Sequence, residues 1–181
     1  MKLSLIYYGN SILRKKAIPV EEITEEIRRL VHDMDAVMLA HNGAGLAAPQ
    51  VGVSLRLFIM RIEKEEEKEA TSTDKKEPIL PDLQVFINPT LFEPSDELFI
   101  YNEGCLSIPK VRADVIRPAA IYVEATDLDG NLIKRRFSGL EARCIMHEND
   151  HLNGVLYIDR LSKKERDHLD PALREIKKKF R

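Results

Sequence analysis

His147, Glu148 and His151 stand in the order H-E-x-x-H, within the run His147-Glu148-Asn149-Asp150-His151. Two histidines four residues apart on a helix project from one face, about one turn apart, so both imidazoles can reach one metal ion. A glutamate between them can meet a water at that ion and take its proton. The chemistry implied is metal-assisted hydrolysis. The plainer alternative is a pair of ordinary helical histidines, and a third ligand decides between the two. The longer protease pattern H-E-x-x-H-x-x-G-x-x-H is not completed: Gly154 fits, but Tyr157 stands where its third histidine would be. The two cysteines are the remaining ligand candidates.

Cys144 lies three residues before His147 on the same helical face. Three ligands from one helix would crowd a tetrahedral site, so Cys144 reads better as a small buried residue beside it. Cys105 sits in Glu103-Gly104-Cys105-Leu106-Ser107, after the strand-like Leu98 to Tyr101. Gly104 lets the backbone approach closely, which suits a thiolate pressed against a metal. Taken alone, a buried thiol in a turn is the better reading of Cys105.

The elements that must position these groups follow from pattern. Ser138 and Glu141 have capping-box spacing, and Leu140, Cys144, His147 and His151 form one stripe. The expected helix runs about three to four turns and stops at Asn153-Gly154. Thr24 reads as the N-cap of an amphipathic helix over 25–41, with Ile27, Leu30, Val31, Met34, Val37 and Met38 as its apolar stripe. His32 and His41 read as ordinary surface residues. Residues 55–62 and 84–87 read as strands, the second ended by Asn88-Pro89. Residues 120–126 and 131–137 flank Asp127-Leu128-Asp129-Gly130, a strong hairpin signal. Residues 1–20 look mostly irregular.

Residues 63–82 read as a charged surface insertion, with Glu63 to Glu77 rich in Glu and Lys and without an apolar pattern. Residues 162–181 read as a helical tail. Ser162 and Glu165 offer a capping box, Asp170-Pro171 restarts a helix, and the end Lys177-Lys178-Lys179-Phe180-Arg181 is basic.

Length and charge bound the class. The 181 residues suffice for one domain, 1–181, with a sizeable core. Net charge is -2, from 28 basic and 30 acidic residues, so no global excess argues for DNA or an anionic membrane. No apolar run approaches a membrane span. The first residues lack a signal peptide's apolar stretch, and a cytoplasmic protein is expected. Two cysteines in that setting do not suggest a disulfide framework.

Three separated blocks resemble the peptide deformylase family. Gly43-Ala44-Gly45-Leu46-Ala47-Ala48-Pro49-Gln50 is similar to its G-x-G-L-A-A-P-Q. Glu103-Gly104-Cys105-Leu106-Ser107 is the second block, and His147-Glu148-Asn149-Asp150-His151-Leu152 matches H-E-x-D-H-L. Their order and separations fit, and Ile12-Leu13-Arg14 and Leu156 to Leu161 extend the similarity over nearly the whole chain. The charged insertion and the C-terminal tail are least covered.

The resemblance implies a metal-dependent hydrolase that removes the formyl group from the N-terminal formyl-methionine of nascent polypeptides, releasing formate. It implies Cys105, His147 and His151 as metal ligands, Glu148 as general base and then acid, and Gln50 with the Leu106 N–H as oxyanion donors. Gly45 would lie along the substrate backbone, with Ala44, Leu140 and Cys144 in the pocket wall. Glu103 and Asp150 are candidates for orienting the histidines. The implied ion is Fe2+, with Zn2+ as the alternative for this donor set. The implied fold is α+β: antiparallel sheets packed around the central helix, with a C-terminal helix outside. The basic tail would touch ribosomal RNA. Two positions depart from the family pattern: Ala44 replaces a larger Val or Ile, and Met146 stands where Gln often precedes the first histidine. The rival readings are a metallopeptidase and a catalytically silent metal-binding relative.

Overall fold

The computed structural model describes residues 3–62 and 80–180. The chain runs α1 (Glu25–Ala40), β1 (Gly45–Ala47), β2 (Leu57–Met60), β3 (Gln84–Phe92), β4 (Leu98–Cys105), β5 (Ile108–Pro118), β6 (Ala120–Thr126), β7 (Leu132–Ser138), α2 (Gly139–Leu152) and α3 (Lys163–Lys179). Short 3₁₀ turns occupy Ser11–Arg14, Ala48–Val51 and Tyr157–Arg160. A five-stranded sheet has the order β1-β2-β3-β6-β7, and β4 and β5 form a separate two-stranded arm. All these pairings are antiparallel. The architecture is the expected α+β, with α2 at the centre and α3 at the C-terminal end.

Burial on both faces explains the unbroken apolar run Leu57-Phe58-Ile59-Met60. Phe58 and Met60 point into a layer with Phe86, Phe137 and Ile145 of α2. Leu57 and Ile59 point the other way, against Val31, Met34 and Met38 of α1. A strand covered by a helix on each side loses the alternation of a half-exposed one. Residues Ala142 to Glu148 and Asp150 to Leu152 of α2 are all buried. A third cluster joins Val111 and Val115 of β5 to Leu173 and Ile176 of α3.

Thr24 caps α1 as expected, its Oγ1 accepting from the Ile27 N–H, and α1 ends at Ala40. Ser162 and Glu165 form the expected capping box of α3. Ser138 does not cap α2. It belongs to β7, paired with Ala120, and Gly139 turns the chain with φ +56°, so its hydroxyl makes no cap bond. The strand expected over 55–62 is confined to β2. The strand at 84–87 does not stop at Asn88-Pro89: the register shifts there, Asn88 adopts φ +53°, and pairing resumes to Phe92. A β-bulge absorbs the proline. Asp170 does not restart a helix either, because α3 runs continuously through Pro171 and the Asp170 carboxylate receives Arg174 instead. Most of the proposed charged insertion, residues 63–79, lies outside the described residues.

Candidate active site

Two separate pieces of chain meet at the site. The buried helix α2 presents His147, Glu148 and His151, and the end of β4 presents Cys105. One ligand atom from each of Cys105, His147 and His151 lies within 4.8 Å of the others. Cys105 Sγ is 3.2 Å from His151 Nε2. His147 Nδ1 donates to Glu103 Oε2 at 2.9 Å, which leaves its Nε2 free to face the cluster. This set of one sulfur and two imidazole nitrogens fits a divalent transition ion. Glu148 Oε2 is buried and has no partner among the described residues, as expected for a group awaiting a small polar molecule. Cys144 stays apart from the cluster, and burial pushes its thiol well up.

A charged network holds the candidate ligand His147. Glu103 is buried, which alone would favour its neutral form. Hydrogen bonds from His147 and Arg117 outweigh that and hold its carboxyl well below the usual range. Arg117 grips both Glu103 oxygens, at 2.6 and 3.0 Å, and gives Nη1 to Asp150 at 2.8 Å. Arg160 also donates to Asp150, its Nε lying 3.1 Å from the same Oδ2 that Arg117 reaches. Glu103 therefore touches His147 directly, and Asp150 is linked to Glu103 through Arg117. Burial pushes His151 well below its ordinary value and favours the neutral imidazole a metal needs. Burial opposes charge on His147 too, but the contacts with Cys105 and Glu103 raise it. Burial lifts the Glu148 carboxyl to about 7, against the opposing charge of His147.

A cavity of about 790 Å³ opens onto this centre. Ala44, Gly45, Gln50, Leu106, Leu140 and Cys144 all line it, together with His147 and Glu148. Gln50 is buried in the 3₁₀ turn after β1. Its Oε1 accepts from the Ala47 N–H at 2.8 Å, and its Nε2 lies 3.5 Å from Cys105 Sγ and 3.2 Å from Ser107 Oγ. Met146 faces the apolar layer instead. Tyr157 lies beside His147, ring centroids 6.1 Å apart, and its hydroxyl donates to the Val111 carbonyl. His32 and His41 are exposed as expected, His41 at the cavity rim.

Sequence reasoning missed Arg117, Arg143 and Arg160. Arg143 carried a readable signal: it precedes His147 by four residues, on the same buried face of the helix.

The polypeptide deformylase family model matches residues 2–167. The chain belongs to the polypeptide deformylase family. It is 50% identical over 165 residues to a peptide deformylase of Bradyrhizobium sp. strain BTAi1, covering 91% of this chain and 90% of that one. The solved peptide deformylase of Ehrlichia chaffeensis superimposes with TM-score 0.83 at 36% identity, over 99% of this chain and 97% of that one. The Synechococcus elongatus deformylase, solved with actinonin, gives 0.78 at 36% identity, over 98% and 85%. As a deformylase, the chain is a metal-dependent hydrolase that takes the formyl group from nascent peptides. No helix among the described residues is long and apolar enough to cross a membrane.

Proposed function

We propose that Cys105, His147 and His151 hold one Fe2+ ion and that Glu148 moves the proton in formyl-methionine deformylation. The carrying observation is that the Cys105, His147 and His151 ligand atoms lie within 4.8 Å of one another, and that Cys105, His147 and Glu148 line the cavity. The bound ion would acidify water and polarise the formyl oxygen. Glu148 takes a proton from the attacking water, whose oxygen bonds to the formyl carbon. A carboxyl held near 7 suits a group that must first accept and then donate. The carbonyl electron pair moves to oxygen, where Gln50 Nε2 and the Leu106 N–H receive the developing charge. Collapse breaks the C–N bond, and Glu148 delivers its proton to the departing nitrogen. Formate and a free amine result. Ala44, Gly45, Leu140 and Cys144 form the wall for the methionine end. Glu103 and Asp150, through Arg117, keep His147 in orientation.

The test is formate release from a formyl-Met peptide by anaerobically prepared ferrous protein, beside Glu148→Ala. Wild-type turnover with loss of about 1,000-fold or more in a metal-replete variant is expected. Equal rates would remove Glu148 from this role.

Residues 1–181 are read as one catalytic domain working in the cytoplasm, where nascent formylated chains appear. The exposed Lys178 and Lys179 on α3 are proposed to meet ribosomal RNA by phosphate attraction. Lys178→Glu with Lys179→Glu should weaken co-sedimentation with ribosomes at low salt while leaving formate release from a free peptide intact. Unchanged co-sedimentation would end that reading. Charge reversal is the cleaner test, since deleting 171–181 would also take Leu173 and Ile176 from the core.

A further inference from the structure

Arg143 is 4% exposed, yet it forms part of the cavity wall. Its Nη1 donates to Glu103 Oε1 at 2.7 Å and to the Val115 carbonyl at 2.9 Å. Its Nη2 donates to the Phe99 carbonyl. Its guanidinium lies 5.2 Å from the Phe99 ring centroid and 6.0 Å from that of Tyr101. Every one of these partners belongs to β4 or β5, whereas Arg143 itself belongs to α2.

Charge balance does not explain it. Arg117 and Arg160 already match Glu103 and Asp150, so Arg143 adds a third buried or half-buried cation to two carboxylates. A buried cation is costly unless geometry requires it. Its fork reaches two main-chain carbonyls and a carboxylate from two separate nitrogens held in one plane, a spread that the single nitrogen of a lysine lacks.

We propose that Arg143 is a positioning residue that fastens the β4–β5 arm to the catalytic helix. The arm carries Cys105 and Glu103, and the helix carries His147 and His151, so the fastening sets the register in which the ligands meet. It also places Tyr101, which lines the cavity, against the substrate end. The inference rests on the reading of Cys105, His147 and His151 as ligands.

The test compares wild type, Arg143→Met and Arg143→Lys. Three readouts are taken: zinc release from zinc-loaded protein to a chromophoric chelator, KM and kcat of the ferrous protein for a formyl-Met tripeptide, and thermal stability. Methionine keeps the side-chain bulk and removes every donor. It should speed zinc release by about 10- to 100-fold and raise KM. Lysine keeps a cation for Glu103 but loses the fork. It should restore zinc retention to within about threefold of wild type while KM stays several-fold high. A folded Arg143→Met protein with wild-type zinc release and KM would overturn the proposal, even if it melts earlier. Should the methionine variant not fold, wild-type KM in Arg143→Lys overturns it alone. Absence of formate release by the wild type in the same series would instead sink the underlying reading of the reaction.

Discussion

Gly45 has no room for a methyl group. A Cβ there would stand 2.6 Å from Glu148 Oε1 and 2.6 Å from Cys144 Sγ. The glycine therefore leaves the space in which the carboxylate of Glu148, the proposed general base, sits. Gly45→Ala should displace the Glu148 carboxylate and lower kcat by about 100-fold, with metal content unchanged in the folded protein. Wild-type kcat in that variant would show that Glu148 adapts freely. At this scale much of the site was legible. His147, Glu148 and His151 declare themselves by helical spacing, and Glu103 and Asp150 by adjacency to the candidate ligands. Cys105 was not legible from spacing alone, because 42 positions separate it from His147 and only the three-block resemblance joined them. Arg117 was hidden for a different reason. An arginine in a strand reads as a solvent-facing residue, and nothing local tells that two carboxylates await it inside.

Elements whose apolar residues face one side were read well, as with α1 and the β6–β7 hairpin. β5 escaped notice although Val111, Val115 and Arg117 alternate with exposed Arg112, Asp114 and Ile116, because its inward set includes a charged residue and its outward set an apolar one. Ser138 looked like a cap, and the β ladder claimed it first. Junctions between elements were equally hidden, and Asp159 is the clearest. It receives Arg14 from the first 3₁₀ turn, Arg166 from α3 at 2.8 Å, and the Leu156 N–H at 2.9 Å. Partial burial would raise its carboxyl, but the Arg14 hydrogen bond and the Leu156 N–H outweigh this and lower it. A lowered folded-state value gives stability that is present above the unfolded value of about 3.9 and lost as pH falls through the folded one. Asp159→Asn should cost about 1 kcal/mol at neutral pH. It should also flatten the fall in stability below about pH 4, as urea titrations at several pH values would show. An unaltered acid limb would remove Asp159 from that role.

Over the whole molecule, the two ends of the chain are packed together: the Tyr7 and Phe180 rings stack with centroids 3.8 Å apart, and Tyr7 lines the cavity. The tail, read from sequence as a helix outside the sheets, is partly core through Leu173 and Ile176, whose spacing is too sparse to announce burial. The general α+β plan was legible from resemblance and from the hairpin, whereas the division into a five-stranded sheet and a detached arm was not. That division has a consequence for the metal. The ion would bridge the arm, through Cys105, to the helix packed on the large sheet, closing a loop of about 40 residues as a covalent cross-link would. Stripping it should therefore be felt unevenly. Backbone amides of residues 98–118 should exchange with deuterium faster in the metal-free protein, while those of 57–60 and 85–87 keep their protection. Uniform acceleration would mean that the ion stabilises the fold as one unit. The uneven outcome would make metal occupancy a local clamp on a hinged flap, so that a protein starved of its ion would keep its fold and lose only the grip of one arm.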